Sequence, residues 1–217
     1  MGVGRDRFAL YLITDRKLVR RGLIAACEEA LSSAQPFGRE VALQLREKDL
    51  SGRELLELAR ELRKVCTRYG ARLIINDRID VAIACDADGV HLPANSFAVA
   101  DARKILGPAK LIGCSTHSID EVKTASHAGA DFIVFGPVFD PISKSSYGRA
   151  TGVEMLRAAW DAATIPVYAL GGITAERIRE LRDSGVSGVA AIGSVFGAES
   201  IADATRALMQ AIVDYLP

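Results

Sequence analysis

Short apolar runs alternate with longer amphipathic stretches along the whole chain, and this alternation limits the folds open to it. Each of the eight runs has the length of a β-strand. Most are rich in valine, isoleucine, leucine and phenylalanine, which is typical of strands buried on both faces. The predicted strands cover 8–13, 41–45, 73–75, 89–92, 111–114, 132–135, 167–170 and 189–192.

Stretches with helical periodicity lie between these runs. The clearest is 51–69, where leucine, alanine and valine fall on one face and charged side chains on the other. Ser51 followed by Glu54 predicts a capping box at its start. Leu156 and Trp160 share one face of a later helix and are predicted to lie in the core. The other predicted helices cover 21–34, 78–85, 97–106, 118–128, 152–163, 174–184 and 200–215.

A strand–helix unit repeated at intervals of about 25 residues favours a closed parallel barrel over an open sheet. The chain has 217 residues and contains no long linker or low-complexity segment. We therefore predict a single α/β domain over 1–217, folded as a (β/α)8 TIM barrel. Active sites of such barrels lie at the C-terminal ends of the strands.

Charge and composition argue against several classes of function. Lys and Arg together number 27, as do Asp and Glu, so the zero net charge argues against a nucleic-acid partner. No run approaches about 18 apolar residues and the N-terminal residues lack an apolar signal core, so we expect no membrane span and no secretory signal. Cys27, Cys66, Cys85 and Cys114 have no paired spacing, and we expect reduced thiols in a cytoplasmic protein.

Glycines follow the last two predicted strands. Gly171 and Gly172 follow the seventh strand, and Gly193 and Ser194 follow the eighth, each ahead of a predicted helix. Backbone N–H groups of glycine can approach an anion closely, and a helix N-terminus favours negative charge. We predict a phosphate site at these two turns. The alternative is that the glycines only make tight turns.

Cations alternate along the second predicted strand. Gln44, Arg46 and Lys48 point to one face, because strand side chains alternate. Charges inside a barrel are costly unless they are paired, so this row predicts an anionic ligand. Lys144, in the loop after the sixth strand, adds a third cation.

Asp77 and Asn76 follow the third predicted strand and could hold Mg²⁺ against that anion. The alternative is that Asp77 pairs with Arg46 or Lys48 and that no metal binds.

Two histidines lie near the strand ends. His117 follows the fifth strand and suits proton transfer near neutral pH. Its alternative role is to cap the helix that begins at Ser118. His91, at the end of the fourth strand, is either a pocket residue or a buried core imidazole.

Six segments resemble, in order, those of the thiamine-phosphate synthase superfamily, which also contains the thiazole tautomerases. The resemblance covers essentially the whole chain. The segments are YLITD at 11–15, QLREK at 44–48, INDR at 75–78, ADGVHL at 87–92, FGPVF at 135–139 and ALGGI at 169–173.

The resemblance implies a transferase that joins hydroxymethylpyrimidine diphosphate to a thiazole phosphate and releases diphosphate. It implies that the pyrimidine diphosphate is bound at the second and third strands, with Asp77 on Mg²⁺, and that the thiazole phosphate is held at the last two turns. It also implies that Lys144 reaches the diphosphate. The predicted catalytic residues are Lys48 and Lys144 for the departing diphosphate and His117 for proton transfer. The predicted substrate-binding residues are Gln44, Arg46, Lys48, Asn76, Ser115, Ser143, Lys144, Gly171, Gly172, Gly193 and Ser194.

The chain departs from the synthase pattern at three points. Ser96 stands where synthases carry an aspartate that is the second magnesium ligand, and Asp140 or Asp101 could replace it. Ser143 is the one hydroxyl kept before Lys144. Gly193 replaces the usual serine.

These departures keep three further functions open. The segment 92–97 resembles the tautomerases, in which His117 would move the proton. Besides this tautomerase function, the second open function is a barrel that binds a thiamin precursor without turning it over. The third is a different phosphate-binding barrel enzyme. The expected partners are small phosphorylated substrates, with neither nucleic acid nor membrane, and a homodimer is among the expected oligomeric states.

Overall fold

Eight parallel strands form a closed barrel in chain order, with β1 paired to both β2 and β8. The computed structural model describes residues 7–38, 40–140 and 149–216. The predicted (β/α)8 barrel is therefore confirmed. The strands are β1 (Leu10–Ile13), β2 (Val41–Leu45), β3 (Arg72–Asn76), β4 (Gly89–Leu92), β5 (Leu111–Thr116), β6 (Phe132–Phe135), β7 (Val167–Ala169) and β8 (Gly188–Ala191).

Helices cover the outside of the barrel. They are α1 (Leu23–Ala34), α2 (Gly52–Tyr69), α3 (Ile79–Ala84), α4 (Val99–Leu106), α5 (Ile119–His127), α6 (Gly152–Ala162), α7 (Gly193–Phe196) and α8 (Ile201–Tyr215). Short 3₁₀ helices lie at Gln35–Phe37 and Ala175–Leu181. The capping box at the start of α2 is confirmed, since the Ser51 side chain accepts from Glu54 N and the Glu54 side chain accepts from Ser51 N.

The prediction of an α-helix over 174–184 is wrong, because Ala175–Leu181 is a 3₁₀ helix. Its buried side chains, Ile178 and Leu181, are three residues apart, which matches the three-residue turn of a 3₁₀ helix. The side chain of Thr174 makes no capping hydrogen bond there. The short helix α7 was not predicted.

Trp160 is also placed differently from its prediction. Leu156 is fully buried, but Trp160 is 43% exposed. Its indole packs over Gly185, where an added Cβ would lie 2.4 Å from the ring. One face of the ring is therefore covered by the loop before β8 while the rest faces solvent.

Aromatic side chains fill the N-terminal end of the barrel. Phe8 stacks on Tyr168 with ring centroids 4.3 Å apart, and the edge of Phe132 meets Phe8 at 5.3 Å. Tyr11 joins this cluster, with its ring centroid 5.5 Å from that of Phe132. This end is closed by packing, so a polar site is left to the opposite end, where the strands finish.

The four cysteines are buried and unpaired in the structure, as expected from their spacing. Among the described residues, no helix combines the length and apolar character needed to cross a membrane.

Two aspartates join neighbouring strands at the N-terminal end of the barrel. Asp88 precedes β4, and its Oδ2 accepts hydrogen bonds from Leu73 N at 2.6 Å and Arg63 Nη1 at 2.5 Å. Asp131 has the same arrangement before β6, with Ile112 N at 2.6 Å and Arg103 Nη2 at 2.5 Å. Each carboxylate thus ties a strand to a helix that covers it.

We expect Asp131→Ala to lower the free energy of unfolding by about 1.5–3 kcal/mol, because Ile112 N and Arg103 lose a charged acceptor. Urea unfolding followed by circular dichroism measures this change. Asp183→Ala, at an exposed position, is the control and should shift stability by less than about 0.5 kcal/mol. Equal losses in the two variants would contradict the role given to Asp131.

Candidate active site

A pocket of about 300 Å³ opens beyond the ends of β2, β3 and β4. Lys48 lines it from the β2 side, Asn76 and Asp77 from the end of β3, and Asn95 from the loop after β4. Three residues predicted to bind substrate or metal, Lys48, Asn76 and Asp77, thus lie around one opening. It is at the C-terminal end of the barrel, where enzymes of this fold have their active sites.

Gln44, near the end of β2, is fully buried beside Asn76. Its Nε2 donates a hydrogen bond to Asn76 Oδ1 at 3.0 Å. Its Oε1 is buried and has no hydrogen-bond partner within the described part of the chain. A buried amide oxygen without a donor is costly, so a ligand N–H would be stabilised there. Arg46 and Lys48 lie beyond β2, which ends at Leu45; Arg46 is half-buried, and Lys48 is exposed in a turn.

Asp77 has a left-handed backbone, with φ of 64°. Aspartate tolerates this conformation better than most residues. The Asp77 backbone N donates to His91 O at 2.9 Å, which holds the turn against the end of β4. The Ser96 hydroxyl donates a short hydrogen bond to Asp77 Oδ1.

Ser96 is therefore the residue that contacts the Asp77 carboxylate, rather than either aspartate considered as a replacement ligand. The Asp101 carboxylate pairs with Lys104 at 2.8 Å on α4. The Asp140 carbonyl lies near Arg177, on the β7 side of the barrel.

The oxygen atoms around Asp77 suit a hard cation that arrives with its substrate. Within 7–38, 40–140 and 149–216, no group of three or more His, Cys, Asp or Glu side chains could hold a metal ion. Mg²⁺ is commonly held by one or two carboxylates together with substrate phosphates and water. Asp77, with the Ser96 hydroxyl beside it, fits the protein's share of such a site.

His91 is a buried core imidazole. Its Nε2 lies 2.8 Å from Ser115 Oγ and its Nδ1 lies 3.5 Å from the Tyr11 hydroxyl. Burial, and then the charge of Arg46, lowers the His91 pKa to about 3. His91 is therefore neutral at physiological pH, and its ring contacts Ser115 near the C-terminal end of β5.

His117 is held by the neighbouring strand end. Its Nδ1 lies 2.5 Å from the carbonyl oxygen of Gly136. A carbonyl only accepts hydrogen bonds, so Nδ1 carries the hydrogen and Nε2 is left as the basic nitrogen. The prediction that His117 caps α5 is wrong for its ring, because Ser118 Oγ caps the helix by accepting from Glu121 N at 3.2 Å.

The two glycine turns differ in whether the neighbouring atoms leave room for a side chain. Gly171 and Gly172 have φ of 99° and 61°. A Cβ on Gly172 would lie 2.5 Å from the Asp140 carbonyl oxygen, so the protein's own packing demands glycine there. For Gly193, the nearest described atom to an added Cβ is Leu18 Cδ1, at 4.0 Å. Gly193 thus leaves open space beside Ser194 at the start of α7.

Glu47 is a buried carboxylate whose role was not predicted from the sequence. Its side chain is 3% exposed, and its Oε1 accepts from Thr14 Oγ1 at 2.8 Å. A charged residue directly after a buried strand was the available signal. The partners that explain it, Thr14 and Arg16, come from another strand end.

Ser143 and Lys144 lie outside the described residues, so their predicted places in the site remain predictions.

The closed barrel, with polar residues at the ends of β2, β3 and β4, defines a TIM-barrel enzyme with its site at the C-terminal end of the strands. The sequence pattern of the family described as thiamine monophosphate synthase matches residues 10–195. The chain belongs to this family, as the resemblance in its motifs indicated.

Relatives support the assignment along the whole chain. The thiamine-phosphate synthase of Pyrococcus horikoshii is 38% identical over 212 residues, which cover 98% of each chain. That of Chlorobium luteolum is 47% identical over 167 residues, which cover 77% of this chain and 79% of that one. The solved structure of thiamine phosphate pyrophosphorylase from Pyrococcus furiosus superposes with a TM-score of 0.85 at 34% identity, covering 98% of this chain and 99% of that one.

Proposed function

We propose that this chain forms thiamine phosphate by joining hydroxymethylpyrimidine diphosphate to a thiazole phosphate, with release of diphosphate. The observation that carries the proposal is that Gln44 bonds to Asn76, while Asn76 and Lys48 line one pocket, with Arg46 between Gln44 and Lys48 in the chain. The buried Gln44 Oε1 is an acceptor for the amino group of the pyrimidine. Arg46 and Lys48 come next in the chain, and they would contact the diphosphate as it extends toward the opening.

Lys48 is proposed to act on the leaving group. When the bond between the pyrimidine methylene and the diphosphate breaks, negative charge grows on the diphosphate oxygens. A fixed cation at that point stabilises the transition state more than the bound substrate. Lys144 is proposed to supply a second cation, and Ser115 and Ser143 are proposed to contact the substrates.

Asp77 is the proposed protein ligand for Mg²⁺, with the Ser96 hydroxyl beside it. When bound, the metal neutralises part of the diphosphate charge. Asp77 and Asn76 would hold the cation, and Arg46 and Lys48, which follow β2, would meet the remaining charge of the diphosphate.

The serine at position 96 predicts weak metal binding. We expect Ser96→Asp to lower the Mg²⁺ concentration that gives half-maximal rate by about 10-fold, because a second carboxylate contributes charge to a hard cation. A magnesium titration of the initial rate measures this shift. If Ser96→Asp causes no shift and Asp77→Ala leaves the rate unchanged, no metal acts at this site.

The thiazole phosphate is proposed to bind at Gly172, Gly193 and Ser194, with Gly171 shaping the turn. The open space beside Gly193 supports this placement, as does the frequency of phosphate sites after the last two strands of such barrels.

We expect Gly193→Val to weaken thiazole-phosphate binding by at least about 10-fold, because the side chain occupies the space where N–H groups would meet the phosphate. Isothermal titration calorimetry measures the affinity. Gly193 does not need a positive φ, so the variant should fold, and thermal unfolding checks this. Unchanged affinity in a folded variant would rule out the turn as the phosphate site.

Thiazole isomerisation is the second candidate function. His117 favours it, because its Nδ1 is engaged by Gly136 O and its Nε2 is left to exchange a proton with a thiazole. Arg46 and Lys48, which follow β2, have no evident task in that reaction, because no diphosphate departs.

One incubation tests the proposed function. The chain is mixed with each thiazole phosphate isomer, with and without the pyrimidine diphosphate and Mg²⁺, and the products are separated by chromatography. Thiamine phosphate together with free diphosphate is the expected result. Isomer exchange alone would show a tautomerase, and binding without turnover would show a non-catalytic barrel.

We also propose that the chain acts in the cytoplasm on small phosphorylated substrates. The four unpaired, buried cysteines support this location, because thiols stay reduced there.

A further inference from the structure

We infer that Glu47 is a positioning residue that fixes the β1–α1 loop, residues 14–22, between the two proposed substrate sites. The inference rests on the proposed function, because it concerns how Arg46 and Lys48 are held toward a diphosphate. Glu47 is not proposed to touch substrate.

The Glu47 carboxylate is buried but well paired. Oε1 accepts from Thr14 Oγ1 at 2.8 Å and from Arg16 N at 3.0 Å. Oε2 accepts from the same backbone N at 3.2 Å and from Arg16 Nη1 at 3.4 Å. A buried carboxylate is tolerated only with such partners. If the Glu47 carboxylate is removed, these partners lose their acceptor and stay buried without one.

The same contacts anchor the segment after β2 that carries Arg46 and Lys48. Thr14 Oγ1 accepts from Arg46 N at 2.9 Å while it donates to Glu47. Thr14 N donates to Gln44 O at 2.9 Å, so the main chain on both sides of Leu45 is tied to Thr14. Lys48 follows Glu47 directly and is placed at the pocket by this anchor.

The far part of the β1–α1 loop reaches the other proposed site. Leu18 Cδ1 lies 4.0 Å from where a Cβ of Gly193 would be. Leu18 N donates to Asp15 O at 3.1 Å, which keeps the loop in a turn as it leaves Arg16. A loop released from Glu47 would therefore disturb the diphosphate side and the phosphate turn together.

Asp49 offers a matched comparison. It binds the same loop through Arg16, with Nη1 to Oδ1 at 2.5 Å and Nη2 to Oδ2 at 3.1 Å, and through Lys17 Nζ at 3.0 Å, but its side chain is 43% exposed. Solvent screens these exposed pairs, so we expect them to hold the loop less firmly than the buried contacts of Glu47.

Glu47→Gln and Asp49→Asn are compared with the wild type by two measurements. The first is the kcat and KM for each substrate. The second is native-state cleavage by trypsin within the β1–α1 loop, which carries Arg16, Lys17, Arg20 and Arg21. Mass spectrometry identifies the cut sites.

We expect Glu47→Gln to raise both KM values and the rate of loop cleavage by about 10- to 100-fold, because a carboxamide cannot accept all the hydrogen bonds of the carboxylate. Asp49→Asn should change each quantity by less than about threefold. Thr14→Val, which keeps the side-chain shape without the hydroxyl, should reproduce the Glu47 effects, and Thr14→Ser should restore them toward wild type.

The inference is overturned if Glu47→Gln only lowers the melting temperature, with both KM values and loop cleavage unchanged. If Glu47→Gln does not fold, Thr14→Val decides by the same two measurements, and failure of both to fold would assign the pair to stability alone. A wild type that makes no thiamine phosphate would refute the proposed function, while loop cleavage would still test the role of Glu47.

Discussion

Replacing Lys48 with alanine should slow thiamine phosphate formation by about 10²–10³-fold, the usual cost of removing one group that stabilises developing negative charge. Lys48 lines the pocket together with Asn76 and Asp77. The loss should appear in kcat, because the charge on the diphosphate is largest when its bond to carbon breaks. Initial rates of diphosphate release at saturating concentrations of both substrates measure it.

His117→Ala is the matched comparison, because it removes the other candidate catalytic group. In a synthase it should cost less than Lys48→Ala, and in a tautomerase the order should reverse. Lys48 is exposed, so its loss should change the free energy of unfolding by less than about 0.5 kcal/mol. If the wild type forms no thiamine phosphate and isomerisation is lost only in His117→Ala, the synthase assignment is wrong.

The barrel could be predicted because its signal is local and repeated. Each strand–helix unit has its own pattern of apolar residues. An error in the predicted ends of one strand or helix therefore does not change the predicted fold. The errors fell where an element depends on its surroundings. The segment 174–184 has helical composition, but its buried positions suit a 3₁₀ turn, and Trp160 packs on a loop that its own helix does not reveal.

The residue types at the strand ends could also be predicted, but their partners could not. Ser96 bonds to Asp77 and Glu47 bonds to Thr14, across 19 and 33 positions of the chain. Such pairs depend on how the loops fold over the barrel. The same is true of the glycine turns, where contact with Asp140 constrains Gly172 and the absence of close described neighbours distinguishes Gly193.

The free energy of unfolding should fall at acid pH because of the buried His91. Its pKa is 6.5 in the unfolded chain and is lowered to about 3 in the folded protein. Between these values the unfolded state binds a proton that the folded state does not, so stability is lost as the pH falls from 6.5 toward 3. At about pH 4 the loss from this one group should be about 3 kcal/mol relative to neutral pH.

His91→Gln isolates this effect, because glutamine can still bond to Ser115 but has no such titration. Urea unfolding at about pH 7 and about pH 4 gives the fall in the free energy of unfolding for each protein. Carboxylates contribute to acid unfolding in both, so the difference between the two falls belongs to His91. His127→Gln, at an exposed histidine on α5, should follow the wild type. An equal fall in wild type and His91→Gln would mean that the buried imidazole takes up its proton without unfolding, and that the interior beneath Ser115 accommodates a charge.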